Sequence, residues 1–141
     1  MASKLLEHAL RAQPDPLCSI EVRSAGVSAF AGDPPSSNAI KAMLPVRLDI
    51  SDHRSRPLHA NLIDQSDLIL GMTSSHLQLI REAHPTLSAD LQRFREWMPH
   101  GSKEVPDPFG GPLELYVETR DALAEAIPSI INHLKSLIHE H

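Results

Sequence analysis

Residues 104–111, EVPDPFGG, join a short apolar run to a long helical pattern near the end of the chain. Asp107 lies between two prolines, each of which holds its own φ at about −65° and favours extended geometry in the residue before it. The carboxylate is therefore held in a defined direction. Two glycines then allow a tight turn before Pro112, which stands at the helix position that tolerates proline. Turns of this composition also occur for structural reasons alone, so a function for Asp107 depends on the rest of the chain.

The composition describes one globular domain without a membrane span. The chain has 141 residues, of which 41% are hydrophobic, and no apolar run approaches the roughly 18 residues that a span requires. Its formal net charge of −5 argues against nucleic acid or an anionic membrane as a partner. A single cysteine allows no internal disulfide, which predicts a cytoplasmic protein.

The nine histidines are scattered along the chain without the cysteine or carboxylate spacing of a metal site. We therefore expect no metal and no cofactor.

Cys18 and Arg23 come closest to a phosphate-binding loop, but their spacing is Cys-x4-Arg. No glycine or helix start is present to surround an anion with backbone amides. On the strand predicted there, the two side chains also point to opposite faces. Cys18 is therefore interpreted as a small packed residue.

Helical and strand periodicities alternate along the chain. Buried-strand patterns occur near residues 19–24, 67–72 and 103–106. Helices are predicted at residues 1–12, at 37–44 after a cap at Ser36 or Ser37, from a cap within Thr73-Ser74-Ser75 to Pro85, and from Pro112 onward with a kink or division at Pro128. Residues 86–102 are predicted as an irregular helical turn. The alternation predicts an α/β fold with a doubly wound parallel sheet and a ligand site at the carboxyl ends of its strands.

Residues 105–120, VPDPFGGPLELYVETR, resemble the general-acid loop and following helix of the low-molecular-weight protein-tyrosine phosphatases and of their protein-arginine-phosphatase relatives. The resemblance extends over nearly the whole chain and is strongest at residues 22–32, 49–58 and 105–121. It implies a three-layer, flavodoxin-like sheet. It also implies hydrolysis of phosphotyrosine or phosphoarginine through a cysteinyl-phosphate, with a phosphorylated protein as the partner.

The resemblance assigns a role to five residues. Asp107 matches the general acid, and Phe30 and Phe109 match aromatic walls of the substrate slot. Ser24 and His53 match residues that support the phosphate-binding loop. Two structural alternatives stay open, because the segment around Ser24 also fits a polar turn and the segment around His53 a solvated basic turn.

The phosphate-binding loop of the family, Cys-x5-Arg-Ser-Pro, is not found in the 141 residues. In the family a helix like that of residues 1–12 follows this loop, and Met1 and Ala2 look like the residues directly after its proline. Residues 1–141 are therefore expected to form a single phosphatase-like domain, incomplete at its N-terminus and lacking the first, central strand. The chain as written is expected to be inactive, and also unstable or prone to association, because the neighbours of the absent strand would have unpaired amides.

Three explanations for the absent loop stay open: a start codon placed too late or a truncated polypeptide, a non-catalytic remnant that binds phosphorylated partners, and a plain structural domain. Arsenate reduction on the same fold is disfavoured, since one cysteine cannot run a relay of cysteines. The oligomeric state is left open.

The residues after Asp107 bear on the substrate. In tyrosine-specific relatives the sequence at this position is similar to Asp-Pro-Tyr-Tyr, whereas here Phe109 is followed by Gly110. Loss of the second ring weakens stacking on a phenol, and a carboxylate beside the slot can pair with a guanidinium. The arginine branch of the family is therefore favoured.

Overall fold

The structure, a computed structural model, describes residues 1–26 and 32–139 and, at His139, the backbone only. The described part contains five α-helices and two β-strands. In chain order they are α1 (Ala2–Arg11), α2 (Ser37–Met43), α3 (Ala60–Asp64), β1 (Leu68–Gly71), α4 (Ser74–Ala83), β2 (Asp90–Arg93) and α5 (Leu113–His139).

Two predicted helix starts are confirmed by their capping hydrogen bonds. The Ser36 hydroxyl accepts a hydrogen bond from the Ala39 backbone N–H at 3.2 Å, and α2 begins at the next residue. The Thr73 hydroxyl accepts one from the His76 N–H at 3.3 Å, and α4 follows. Each cap satisfies a backbone donor that the first helical turn leaves unpaired.

The sheet of the described part consists of β1 and β2, which run parallel with Leu68 opposite Asp90. Leu70 packs against a core cluster that includes α1 and α5, while Ile69 packs against a second cluster with α3 and α4. Because side chains alternate across a strand, β1 has helices on both faces. The architecture is therefore α/β with three layers, as predicted.

The larger core cluster holds α1 and α5 against the sheet. Leu10 of α1 and Ile130 of α5 are both 0% exposed, and Phe94, directly after β2, is 2% exposed. The apolar stripe predicted for α1 is confirmed, with Leu6 and Leu10 as its buried residues. α5 continues past Pro128, so the predicted division of this helix does not occur.

The strand predicted at residues 19–24 is wrong. Residues Leu17–Ser19 form a 3-10 turn, and the backbone of residues 21–25 makes no hydrogen bond within the described part of the chain. Only at Gly26 does the segment pair, through an isolated parallel bridge to Pro57. Ile20 and Val22 still pack against the larger core cluster. The alternating pattern therefore identified the buried face correctly, but a strand also requires a hydrogen-bonded neighbour.

The strand predicted at residues 103–106 is also wrong, although its backbone is fixed beside β1. The Val105 N–H donates to the Met72 carbonyl at 2.8 Å, and the Gly71 carbonyl accepts from the Phe94 N–H at 2.8 Å. Successive residues of a parallel strand form their hydrogen bonds on opposite edges of the strand. Gly71 bonds toward β2, so Val105, which bonds to Met72, lies on the edge of β1 that faces away from β2. The segment before Asp107 is thereby held at the carboxyl end of β1.

The helical turn predicted at residues 86–102 is wrong as well, because β2 lies within it. Leu91 is the one buried residue of this four-residue strand. A four-residue strand with one buried residue has too few apolar positions to produce a recognisable alternating pattern in the sequence.

Candidate functional site

Asp107 stands on an exposed turn whose geometry is fixed by hydrogen bonds. Its Oδ1 accepts from the Phe109 backbone N–H at 3.0 Å, and the Gly111 N–H donates to the Pro108 carbonyl at 2.8 Å. Gly110 has a φ of 80°, which glycine adopts readily. Oδ2 makes no hydrogen bond to any residue in the described ranges. The carboxylate is therefore oriented and keeps one oxygen open for a ligand.

Besides the Val105 hydrogen bond, two further contacts connect the acid loop, residues 104–111, to other elements. Both carboxylate oxygens of Glu104 accept from the Ser74 N–H, at 2.9 and 3.2 Å, at the start of α4. The side-chain amide of Asn38, on α2, donates to the carbonyl of the last loop residue at 3.2 Å. Neither contact can be predicted from the sequence, because the partners lie 30 and 73 residues apart and leave no local pattern.

Arg95 supports the chain that leads into the acid loop. Its side chain is buried, and its guanidinium donates to the Ser102 carbonyl at 2.7 Å and to the Ala122 carbonyl of α5 at 2.7 Å. A Glu125 carboxylate oxygen lies 3.4 Å from the same guanidinium. A buried charge requires such partners, so this contact fixes α5 relative to the loop.

Apolar side chains stand exposed around Asp107. Phe109 is 82% exposed, and Leu113 and Leu115 of the first turn of α5 are 38% and 40% exposed. Exposed apolar surface is therefore present on the acid-loop turn and on the first turn of α5. The role of Phe109 as a wall of the substrate slot stays a prediction.

Gly111 is expected to tolerate no side chain. A Cβ at Gly111 would lie 2.7 Å from Leu115 Cδ2 and 2.9 Å from the Pro108 carbonyl oxygen. We expect Gly111→Ala to lower the free energy of unfolding by about 1–3 kcal/mol in urea titrations, as overpacking does. Gly110→Ala is the matched control, since a Cβ there meets nothing within 4 Å and only its positive φ causes strain.

Leu115→Ala separates the two causes. Combined with Gly111→Ala, it is expected to restore part of the lost free energy of unfolding. Combined with Gly110→Ala it should restore none, because only a Cβ at residue 111 contacts Leu115. A Gly111→Ala variant as stable as the parent protein would contradict the described packing.

The pKa of the His53 imidazole is lowered by its surroundings. Partial desolvation lowers the pKa of its imidazole, and the positive charges of the Met1 amino group, Arg56 and Arg54 lower it further. Burial in turn lowers the pKa of the Met1 amino group. The charge of the residue before α1 thus acts on His53, and the resemblance places the phosphate-binding loop before this helix. Its supporting role stays a prediction.

The other predicted site residues are not joined to Asp107. Ser24 is half-buried and makes no hydrogen bond to another residue of the described part. No hydrogen bond or ion pair connects Asp107, Ser24 and His53 with one another in these ranges. Phe30 lies outside the described residues. The roles of Ser24 and Phe30 therefore stay predictions.

Cys18 has the properties of an unreactive thiol. Its Sγ donates to Asp15 Oδ1 at 2.8 Å, and this hydrogen bond raises the pKa of the thiol. Arg23 is paired with Glu21 at 2.6 Å and makes no contact with Cys18 in the described part. A nucleophilic cysteine needs a lowered pKa, so Cys18 does not fit that role. The argument from opposite strand faces was wrong, because Cys18 lies in the 3-10 turn.

An oriented aspartate at the carboxyl end of parallel strands is the arrangement of an α/β enzyme whose ligand site lies at the strand ends. Residues 1–139 match the family model described as "Low molecular weight phosphotyrosine protein phosphatase". The chain belongs to this family.

Two similar relatives represent its two branches. A protein-arginine-phosphatase of Geobacillus stearothermophilus is 33% identical over 136 residues, which cover 96% of this chain and 87% of the relative. A probable low-molecular-weight protein-tyrosine-phosphatase, EpsP, of Ralstonia nicotianae (strain ATCC BAA-1114 / GMI1000) is 27% identical over 118 residues, 84% of this chain and 79% of the relative.

A solved structure supports the fold. The YwlE arginine phosphatase from Geobacillus stearothermophilus superposes with a TM-score of 0.84 at 31% identity, covering 99% of this chain and 86% of that structure. In residues 1–26 and 32–139, no helix is long and apolar enough to cross a membrane.

Proposed function

We propose that residues 1–141 carry the proton-donating part of a low-molecular-weight protein phosphatase and that Asp107 is its general acid. In this chemistry a cysteine thiolate attacks phosphorus and the bond to the leaving group breaks. Asp107 gives its proton to the leaving oxygen or nitrogen, and the carboxylate then takes a proton from the water that hydrolyses the cysteinyl-phosphate. The 141 residues contain no Cys-x5-Arg motif to supply the thiolate.

The orientation of Asp107 carries this proposal. Its Oδ1 is held by the Phe109 N–H at 3.0 Å, while the acid loop is tied to β1, α2 and α4. A proton donor contributes about 10²–10⁴ in rate only when its geometry is fixed, and here three elements fix it. The family membership of the chain adds the reaction class.

The polypeptide of residues 1–141 is expected to hydrolyse no p-nitrophenyl phosphate, since its one cysteine has a raised pKa and no surrounding anion-binding loop. The assay compares the parent protein with Cys18→Ser. Turnover that persists in Cys18→Ser would reveal another nucleophile. Turnover that Cys18→Ser abolishes would make Cys18 the nucleophile. Either result overturns this part of the proposal.

A non-catalytic role in binding phosphorylated proteins is the alternative for a chain without turnover. It predicts that the 141-residue protein retains phosphorylated peptides in a pull-down and releases their unphosphorylated forms.

The proposed substrate is phosphoarginine on a protein. The turn offers one aromatic ring, that of Phe109. The next residue is Gly110, where a Cβ would meet no atom within 4 Å, so the position has room for a second stacking ring and carries none. A planar guanidinium offers N–H donors to the carboxyl group of Asp107, whereas the phenyl ester of phosphotyrosine offers none.

The test uses a loop-restored chain, in which a family-type segment, an apolar strand ending in Cys-x5-Arg-Ser-Pro, precedes Met1. We expect kcat/KM to be higher for a phosphoarginine peptide than for the matching phosphotyrosine peptide. A preference of tenfold or more for phosphotyrosine, about 1.4 kcal/mol in transition-state binding, would overturn the substrate assignment and leave the role of Asp107 intact.

A further inference from the structure

A basic cavity of about 590 Å³ lies apart from the acid loop, where the segment ending at Gly26 meets residues 56–58. Arg23, Arg56 and His59 line it together with Asn61 and Gln65. Nothing in the proposed phosphatase chemistry uses these residues.

Backbone hydrogen bonds between two distant segments build the cavity. The Gly26 N–H donates to the Arg56 carbonyl at 3.0 Å, and the Leu58 N–H donates to the Gly26 carbonyl at 3.1 Å. This parallel bridge joins the two segments, and Arg23 and Arg56 line the same space. α3, which begins directly after His59, completes the wall.

The charge of the cavity is opposite to that of the chain. Among the described residues no carboxylate lines it, although the formal net charge of the protein is −5. A second cavity, of about 350 Å³ beside α5, has the opposite charge, because four carboxylates and Arg95 line it. The basic cavity thus concentrates positive charge on an otherwise acidic protein, which selects for an anionic ligand.

The donors of the cavity are available. The Arg56 side chain forms no hydrogen bond or ion pair with a residue in the described ranges. The Arg23 guanidinium is oriented by Glu21, with its Nε 2.8 Å and a terminal nitrogen 2.6 Å from one carboxylate oxygen. A guanidinium has five N–H donors, so Arg23 keeps several for a ligand. Arg56 supplies a positive charge that no described carboxylate pairs with, and the donors left on Arg23 can bind further oxygens of the anion.

We propose that the basic cavity binds a phosphate group, in addition to and independently of any phosphate at the acid loop. A phosphorylated side chain of a partner protein and free inorganic phosphate share this chemistry, and the two sources are separated by the test.

The cavity is also within electrostatic reach of His53. Desolvation is the largest cause of the lowered pKa of His53, but the charge of Arg56 contributes to it. A phosphate dianion bound at Arg56 would cancel part of that positive charge. The pKa of His53 is therefore expected to rise when the cavity is occupied.

The experiment titrates the 15N-labelled 141-residue protein with inorganic phosphate, with a short phosphoserine peptide, and with the same peptide carrying glutamate instead. We expect phosphate-dependent shifts at the backbone amides of Asn61 and Gln65, and a higher His53 pKa in the bound state. Arg56→Ala and Arg23→Ala should each weaken binding about tenfold. Arg81→Ala is the control, since Arg81 is an exposed arginine on α4 away from the cavity lining.

The peptide and inorganic phosphate arms identify the source. Tighter binding of the phosphoserine peptide assigns the site to a phosphorylated protein, and tighter binding of inorganic phosphate assigns it to the free ion. The proposal is overturned if neither ligand shifts the cavity amides, if Arg81→Ala weakens binding as much as Arg56→Ala does, or if the glutamate peptide binds as tightly as the phosphoserine peptide. Amide spectra of each variant verify its fold. None of these outcomes bears on Asp107, because the titration involves no turnover.

Discussion

Asp107→Asn is expected to lower kcat/KM of the loop-restored chain for a phosphoarginine peptide by about 10²–10⁴. Asparagine preserves the size of the side chain and can still accept the 3.0 Å hydrogen bond from the Phe109 N–H. The asparagine amide has no acidic proton to give to the departing nitrogen. A guanidine is a strong base, so its departure without a proton is slow, and the loss lies in transition-state stabilisation.

Asp64→Asn is the matched control, since Asp64 is an exposed aspartate at the end of α3. It should leave kcat/KM within a factor of about two, as expected of a distant surface change. A loss below tenfold in Asp107→Asn, with the Asp64→Asn control unchanged, would contradict the role of Asp107 as general acid.

Phe94→Ala is expected to have the largest effect on stability, about 3–5 kcal/mol. Phe94 is 2% exposed and packs in the cluster that joins β1 to α1 and α5, so truncation leaves a cavity at the centre of the fold. Domains of this size have total stabilities of about 5–15 kcal/mol. The variant should therefore unfold at a much lower urea concentration, or be unfolded without urea, by circular dichroism.

Leu79→Ala provides the comparison, because Leu79 is 50% exposed on α4. We expect it to change the free energy of unfolding by about 0.5 kcal/mol or less. Similar urea midpoints for the two variants would show that Phe94 does not hold the layers together.

The sequence allowed the helices and the orientation of Asp107 to be predicted because their signals are local. Ser36 and Thr73 each cap a helix through a donor three residues on, and the prolines around Asp107 restrict its backbone directly. The apolar stripe of α1 also repeats within the helix itself. Such patterns are complete within a few residues.

Contacts between distant residues left no comparable signal. Glu104 meets Ser74, and Asn38 meets the end of the acid loop, only after the layers have assembled. β2 was missed since it buries a single residue, Leu91. The strand predicted at residues 19–24 is the opposite case. Its alternating pattern is present, but residues 21–25 have no hydrogen-bonded neighbour in the part of the chain that the structure describes.

The dependence of the rate on the leaving group tests whether Asp107 donates the proton. Phenolate, with a pKa of about 10, needs a proton to depart, whereas p-nitrophenolate is a much weaker base and needs little help. The measurement is the ratio of kcat/KM in the loop-restored chain to that in its Asp107→Asn variant, for phenyl phosphate and for p-nitrophenyl phosphate. If Asp107 is the proton donor, the ratio is at least about tenfold larger for phenyl phosphate. Equal ratios for the two esters would contradict this account, since a residue that only shapes the site affects both substrates alike.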